Sequence, residues 1–137
     1  MADFLRMSEG TALGLHAAVL AASELGSMTT SAMAAALSAS EAHLSKVLQV
    51  LVRSGLLVSK RGPNGGYVLT RPAGEVTLLD VYEALEGPIR PDGCLFSEPV
   101  CDRAECILGG LVERVRAEIS EYMRTTTLEE ASEKRRR

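Results

Sequence analysis

Three cysteines, Cys94, Cys101 and Cys106, fall within thirteen residues of a 137-residue chain that has no other cysteine. In a reducing compartment such a cluster is more often metal-binding or redox-active than a structural disulfide set. Gly93, Pro99 and the coil around them let three thiolates converge on one point, which a regular helix could not do at these spacings. Cys106 is expected near the start of a helix, where the dipole favours the thiolate that a metal needs. Soft thiolates select zinc or iron–sulfur clusters. Three of them leave the coordination one ligand short: structural zinc prefers a closed set of four, whereas an incomplete set suits a labile cluster. A metal-free alternative is a Cys101–Cys106 or Cys94–Cys101 disulfide formed on oxidation.

A second constellation is polar and basic. Leu44, Val47, Leu48 and Leu51 form an apolar stripe that predicts a helix over 41–53, opened by Ser40 as N-cap and closed by Gly55 in the left-handed C′ position. That stripe turns Glu41, Ala42, His43, Ser45, Lys46 and Gln49 outward. These short or hydrogen-bonding side chains suit base edges in a major groove, and Ser40 and Ser45 can hold phosphates. Two β-prone runs follow, 56–59 and 67–70, around Lys60-Arg61-Gly62-Pro63-Asn64-Gly65-Gly66. They predict a β-hairpin whose basic tip, Lys60 and Arg61, can reach the duplex, with the arginine entering a narrow minor groove. A small helical domain with a hairpin can instead dock another protein, and His43 alone can equally be an exposed helix residue.

The elements that must position these groups read as mainly α. Helices are expected over 7–25, stopped by Gly26; over about 30–37, capped by Thr29-Thr30-Ser31; and over 78–86, where Thr77 and Asp80 resemble a capping box. Proline and glycine make 87–104 a loop. A last long helix is expected from about Ala104 to Met123, with a frayed tail after it. Its stripe of Leu111, Val115, Ile119 and Tyr122, joined by Val112 and Met123, has little left to pack on after a complete winged domain. A partner's equivalent helix is the expected surface, which would set two recognition helices ~34 Å apart, or a multiple of it.

Composition agrees. Hydrophobic residues make up 46% and charged residues 24%, which excludes global disorder; with no Trp and only two Phe the core must be aliphatic. No apolar run approaches the ~20 residues of a bilayer span and no signal pattern opens the chain, so a cytoplasmic protein without a membrane segment is expected. The net charge of −3 is unevenly spread: residues 40–72 carry +4 (Lys46, Arg53, Lys60, Arg61 and Arg71 against Glu41), between −2 over 1–39 and −9 over 73–133, with +4 in the tail 134–137. A basic middle third in an acidic protein is the pattern of a local phosphate-binding surface. No nucleophile–base spacing, catalytic carboxylate pair or nucleotide loop occurs, so an enzyme is not expected.

Leu44-Ser45-Lys46-Val47-Leu48, Gly55-Leu56-Leu57, the Arg61-Gly62-Pro63-Asn64-Gly65-Gly66-Tyr67 tip, and Thr77-Leu78-Leu79-Asp80-Val81 with Glu86-Gly87 closely resemble IscR/NsrR-type (Rrf-two type) bacterial transcription regulators. The likeness runs from about Leu5 to Leu128, and the tip is its most specific part. The resemblance implies a homodimer joined by the long last helix, bound to a palindromic double-stranded DNA operator. It also implies an iron–sulfur cluster (2Fe–2S or 4Fe–4S) on Cys94, Cys101 and Cys106, which favours a cluster over zinc. The chain departs from the pattern at the fourth ligand. Where some members have a histidine three residues after the last cysteine, this chain has Gly109, and where others use an acidic residue of the partner's first helix, it has Ala12. His16, Glu9 and Glu105 are other oxygen or nitrogen donors. The expected organisation is a winged helix-turn-helix domain (1–86), a cysteine-bearing loop (87–104), a dimerisation helix (105–126) and a flexible tail (127–137). Operator binding would be controlled by the cluster or by cysteine redox state, the alternatives being a metal-free thiol sensor or a protein-docking module.

Overall fold

Aliphatic side chains at three- and four-residue spacing organise the chain around one core, in a computed structural model that describes residues 7–23, 26–90, 94–96, 98, 100–101 and 106–137. Helix α1 spans Glu9–Ser23, α2 Thr30–Leu37 and α3 Glu41–Arg53. Thr29 caps α2 by accepting the Ala32 N–H at 3.1 Å, and Ser40 caps α3 by accepting the His43 N–H at 3.3 Å. Each cap satisfies an amide that the first helical turn leaves without a partner. Leu44, Val47, Leu48 and Leu51 are buried as the stripe required. Gly55, at φ +84°, provides the left-handed exit.

Strands β1 (Leu57–Lys60) and β2 (Gly66–Leu69) pair antiparallel, with Leu57 opposite Leu69 and Lys60 opposite Gly66. Each lies one residue from its expected position. The hairpin is fastened to the turn before α2: Met28 and Tyr67 exchange two backbone hydrogen bonds of 3.2 and 2.8 Å. Gly66 permits this approach. It sits at φ +144°, and a Cβ there would meet the Met28 carbonyl oxygen at 2.3 Å.

A 3₁₀ turn (Ala73–Glu75) leads to α4 (Leu78–Glu86), which opens with the expected capping box: Thr77 Oγ1 accepts the Asp80 N–H at 3.1 Å and Asp80 Oδ2 accepts the Thr77 N–H at 2.9 Å. The Glu86 carboxylate at its end accepts hydroxyl hydrogen bonds from Ser8 and Thr11, tying α4 to the start of α1.

The C-terminal third differs from the sequence expectation. The long helix, α5, spans Leu111–Thr125 rather than starting at Ala104, which lies outside the described residues. Residues 107–110 form turns, with Gly109 at φ +56° and Gly110 at φ +78°. Beyond it, where a frayed tail was expected, α6 (Leu128–Arg136) has its own capping box between Thr127 and Glu130. Leu128 is fully buried in the same cluster as Leu20, Met33, Leu44, Leu48, Leu57, Val76 and Val81. Its N–H donates to the Val76 carbonyl at 2.8 Å, the Leu78 N–H donates to the Thr126 carbonyl at 2.9 Å, and Arg136 donates to the Ser23 carbonyl at 2.6 Å. Helix α6 therefore packs along α1 as part of the core. No helix of the described residues is long and apolar enough to cross a membrane.

Candidate nucleic-acid interface and cysteine segment

On α3 the inward stripe leaves a polar outer face. Glu41, Ala42, Lys46 and Gln49 are exposed, as is the cap residue Ser40, while His43 and Ser45 are half-buried. The His43 ring leans towards the start of α1: its Nε2 lies 3.5 Å from where a Cβ on Gly10 would stand. Lys46 and Gln49 are thus the more open of the long side chains.

Lys60 and Arg61 are exposed at the hairpin tip. With Gly26, Ser27, Thr29, Pro63, Asn64 and Gly65 they line an open groove of about 800 Å³ between the tip and the turn that precedes α2. The Ser27 hydroxyl donates to the Asn64 carbonyl across that groove. Neither Ser27 nor the facing role of Thr29 was expected from sequence, where Thr29 read only as a cap. Their one local signal is a Ser-Met-Thr run just ahead of a helix. Of the other basic residues, Arg71 lies 4.0 Å from Asp80, so part of the positive stretch is already paired.

The cysteines occupy irregular chain between α4 and α5. All three are free thiols; Cys94 is half-buried and Cys101 and Cys106 are exposed. The Phe96 N–H donates to Cys94 Sγ and the Leu108 N–H to Cys106 Sγ, both at 3.4 Å. Cys106 sits in the turn before α5, five residues ahead of its first residue, and not on the helix itself. Among the described residues no three His, Cys, Asp or Glu side chains converge as a metal set would, so a single chain does not bring Cys94, Cys101 and Cys106 together. His16 is exposed and its Nδ1 lies 2.7 Å from the Ala12 carbonyl. A carbonyl only accepts, so Nδ1 carries the proton and Nε2 is left open. Glu9 is exposed and Ala12 half-buried on the same helix; Gly109 is an exposed turn residue, and Glu105 lies outside the described residues.

Two rows divide α5. Val112, Arg116 and Met123 are buried against the chain's own fold, whereas Leu111 and Tyr122 are about half exposed and Val115 and Ile119 half-buried. Arg116 was not singled out from sequence, because a buried arginine cannot be told from a surface one by periodicity. Exposed apolar side chains also gather around the thiols, with Val100 70% and Ile107 83% exposed.

Comparison with known proteins places this arrangement. The family model described as Rrf2, an iron-dependent transcriptional regulator, matches residues 7–134. The chain is 36% identical over 91 residues to the HTH-type transcriptional regulator CymR of Bacillus subtilis, covering 66% of this chain and 62% of that protein. The solved structure of B. subtilis CymR, described as the global cysteine regulator, superposes with a TM-score of 0.78 at 30% identity, over 94% of this chain and 97% of that one. The structure of T. potens IscR has the same fold, with a TM-score of 0.74 at 23% identity over 95% of this chain and 88% of that one. The capped α3 with its polar outer face, the hairpin wing fastened beside it and the match over 7–134 together show that the chain belongs to the Rrf2 family of winged-helix, DNA-binding transcriptional regulators.

Proposed function

We propose that the protein is a cytoplasmic homodimeric repressor that binds a palindromic operator and whose affinity is set by the state of Cys94, Cys101 and Cys106. The observation that carries the DNA half is the outer face of α3, where Ser40, Glu41, Ala42, His43, Ser45, Lys46 and Gln49 stand on a helix whose other side is wholly buried. This face enters the major groove, with Gln49 suited to a base edge and Lys46 to a base or phosphate. Lys60 and Arg61 of the wing add a second contact with the duplex. The outward row of α5 (Leu111, Val115, Ile119, Tyr122) meets the same row of a second copy.

The thiol segment is the sensor. The donor set fits an iron–sulfur cluster in its chemistry: three accessible sulfurs, two of which receive amide N–H bonds. Cys94, Cys101 and Cys106 would hold the cluster, and a bound cluster supplies one-electron redox chemistry. The chain's own part is to tie residues 94–106 between the end of α4 and the start of α5, so that a change there acts on both. A second reading, a metal-free thiol sensor, is favoured by the exposure of Cys101 and Cys106 to oxidants and by the similarity to CymR.

Iron and acid-labile sulfide are measured on protein purified without oxygen, beside operator affinity across redox states. Stoichiometric iron and sulfide that vanish in the triple Cys→Ser variant support the cluster; colourless protein after anaerobic reconstitution, with affinity that still follows oxidation, supports the thiol sensor. Triple Cys→Ser protein with wild-type affinity in every state would falsify both forms of sensing. The DNA half fails separately if Lys46→Ala and Gln49→Ala bind the operator as tightly as wild type, because loss of one base-edge contact costs ~1–3 kcal/mol.

A further inference from the structure

We propose that the basic end of α6 is a separate anion-binding surface, on which Arg135 and Arg137 hold the sugar–phosphate backbone of the duplex outside the sequence that α3 reads. The inference rests on the DNA-binding reading above and draws on the element that was expected to be a frayed tail. Helix α6 is polarised along its length: Glu129, Glu130 and Glu133 stand in its first part, and Lys134, Arg135, Arg136 and Arg137 follow in an unbroken run. Glu130 is committed to the fold, since its carboxylate accepts the Thr127 N–H in the capping box. All four cations are exposed, while Leu128 and Ser132 bury the other side of the helix. The charged end is therefore carried on a docked element.

The cations divide into two that hold the helix and two that are open. Lys134 Nζ donates to the Tyr122 hydroxyl at 2.9 Å and lies 5.3 Å from the centre of that ring, and Arg136 donates to the Ser23 carbonyl at 2.6 Å. The Arg135 and Arg137 side chains make no hydrogen bond or ion pair among the described residues. Cations in a last turn complement the helix dipole, and the two held ones already do so. The contact of Arg136 fixes where the surplus charge lies. Ser23 ends α1, and the four residues of chain from it to Ser27, ahead of α2, span at most ~14 Å. The basic run is thus docked at the end of α1 that leads into the helix-turn-helix, away from the end where Glu86 meets Ser8 and Thr11. A guanidinium there meets phosphates beside the half-site, and phosphates carry charge whatever the bases between them.

The test uses the full chain and a duplex it selects from a random pool, either trimmed to the selected sequence or extended on each side by one helical turn (~10 base pairs). Affinity is measured on both between about 50 and 200 mM salt. On the extended duplex, Arg135→Ala with Arg137→Ala is expected to make the log K against log[salt] slope shallower by about 1.8 per bound chain, at about 0.9 for each lost phosphate contact. On the trimmed duplex the same protein should match wild type, and Arg135→Lys with Arg137→Lys should keep most of the wild-type slope on the extended one. The sequence of the added flanks should make no difference. An unchanged slope on the extended duplex overturns the proposal, and a lowered Tm beside it would show that the arginines serve the helix dipole alone. An equal loss on both duplexes overturns it too, because the contact would then not lie in the flanks. If the wild-type chain selects no duplex, the underlying DNA-binding reading falls as well. If Lys46→Ala and Gln49→Ala abolish selection while the arginine substitutions change nothing, that reading survives and the α6 contact does not.

Discussion

Replacing Leu128 by alanine tests whether the C-terminal helix belongs to the core. Leu128 is 0% exposed and packs in the cluster formed by α1, α3, α4 and the wing base. Leu→Ala at such a site removes transfer energy and leaves a cavity, for a loss of ~2–5 kcal/mol. Melting entropy scales at ~2.1 cal/mol/K per residue, so a chain of 137 residues has about 0.3 kcal/mol/K. A loss of about 3 kcal/mol therefore lowers Tm by about 10 °C. Thermal and urea unfolding followed by circular dichroism, at one protein concentration, measure the shift, with the exposed Glu133→Ala as control, expected within ~0.5 kcal/mol of wild type. A Leu128→Ala protein that melts within 2 °C of that control, with ~2 °C taken as under 1 kcal/mol on the same scale, would refute the placement of α6 in the core.

Two further substitutions probe other parts of the fold. Gly66→Ala is expected to disrupt the wing, because the new Cβ would lie 2.3 Å from the Met28 carbonyl oxygen at a φ of +144°. Far-ultraviolet dichroism should stay close to wild type while operator affinity falls at least tenfold, and unchanged affinity would show that the wing need not be fastened there. Glu121→Gln addresses pH: the Arg124 hydrogen bond and charge hold the Glu121 carboxyl below its ordinary pKa. A depressed folded-state pKa gives stability that is present above the ordinary carboxylate pKa and lost as pH falls through the folded one. The exposed pair should make a small difference between Glu121→Gln and wild type at neutral pH that disappears on acidification, as thermal melts across pH would show; a difference that grows in acid would contradict the pairing.

Much of the DNA-facing half is legible without coordinates, because it depends on local patterns. The α3 stripe, the glycine-rich hairpin tip and the Thr77–Asp80 box each declare themselves within a dozen residues, and all three are found, although the tight turn of the tip centres on Pro63-Asn64. Helix α5 starts later than the apolar residues Ile107 and Leu108 suggest because Gly109 and Gly110, both left-handed, interrupt the pattern. Helix α6 carries the same box, Thr127 to Glu130, that identified α4. Its polar composition hid it, since one leucine's long-range seat beside Val76 decides whether the segment docks. The thiols show the same limit from the other side. Their chemistry is readable from residue type and spacing, but convergence of three sulfurs depends on distant chain, and a single chain does not display it among the described residues. The wing groove could not be read at all, since Ser27 and Asn64 meet only through the fold.

The exchange of backbone hydrogen bonds between residues 76–78 and 126–128 gives α5 a backbone-fastened pivot at its C-terminal end, whereas its N-terminal half is held by the side chains of Val112 and Arg116. Its C-terminal end is pinned to the strand-like residues that introduce α4, while its other end emerges from the turns that follow Cys106. Fifteen residues at ~1.5 Å each make an arm of about 22 Å. A rotation of about 10° around the pinned end would carry the far end, where Val112 and Arg116 are buried, through about 4 Å, roughly the spacing between stacked base pairs. Because the pivot is the same segment that opens α4, the proposed sensing at the cysteine end would be felt beside the Thr77 cap, at the edge of the core on which α3 rests.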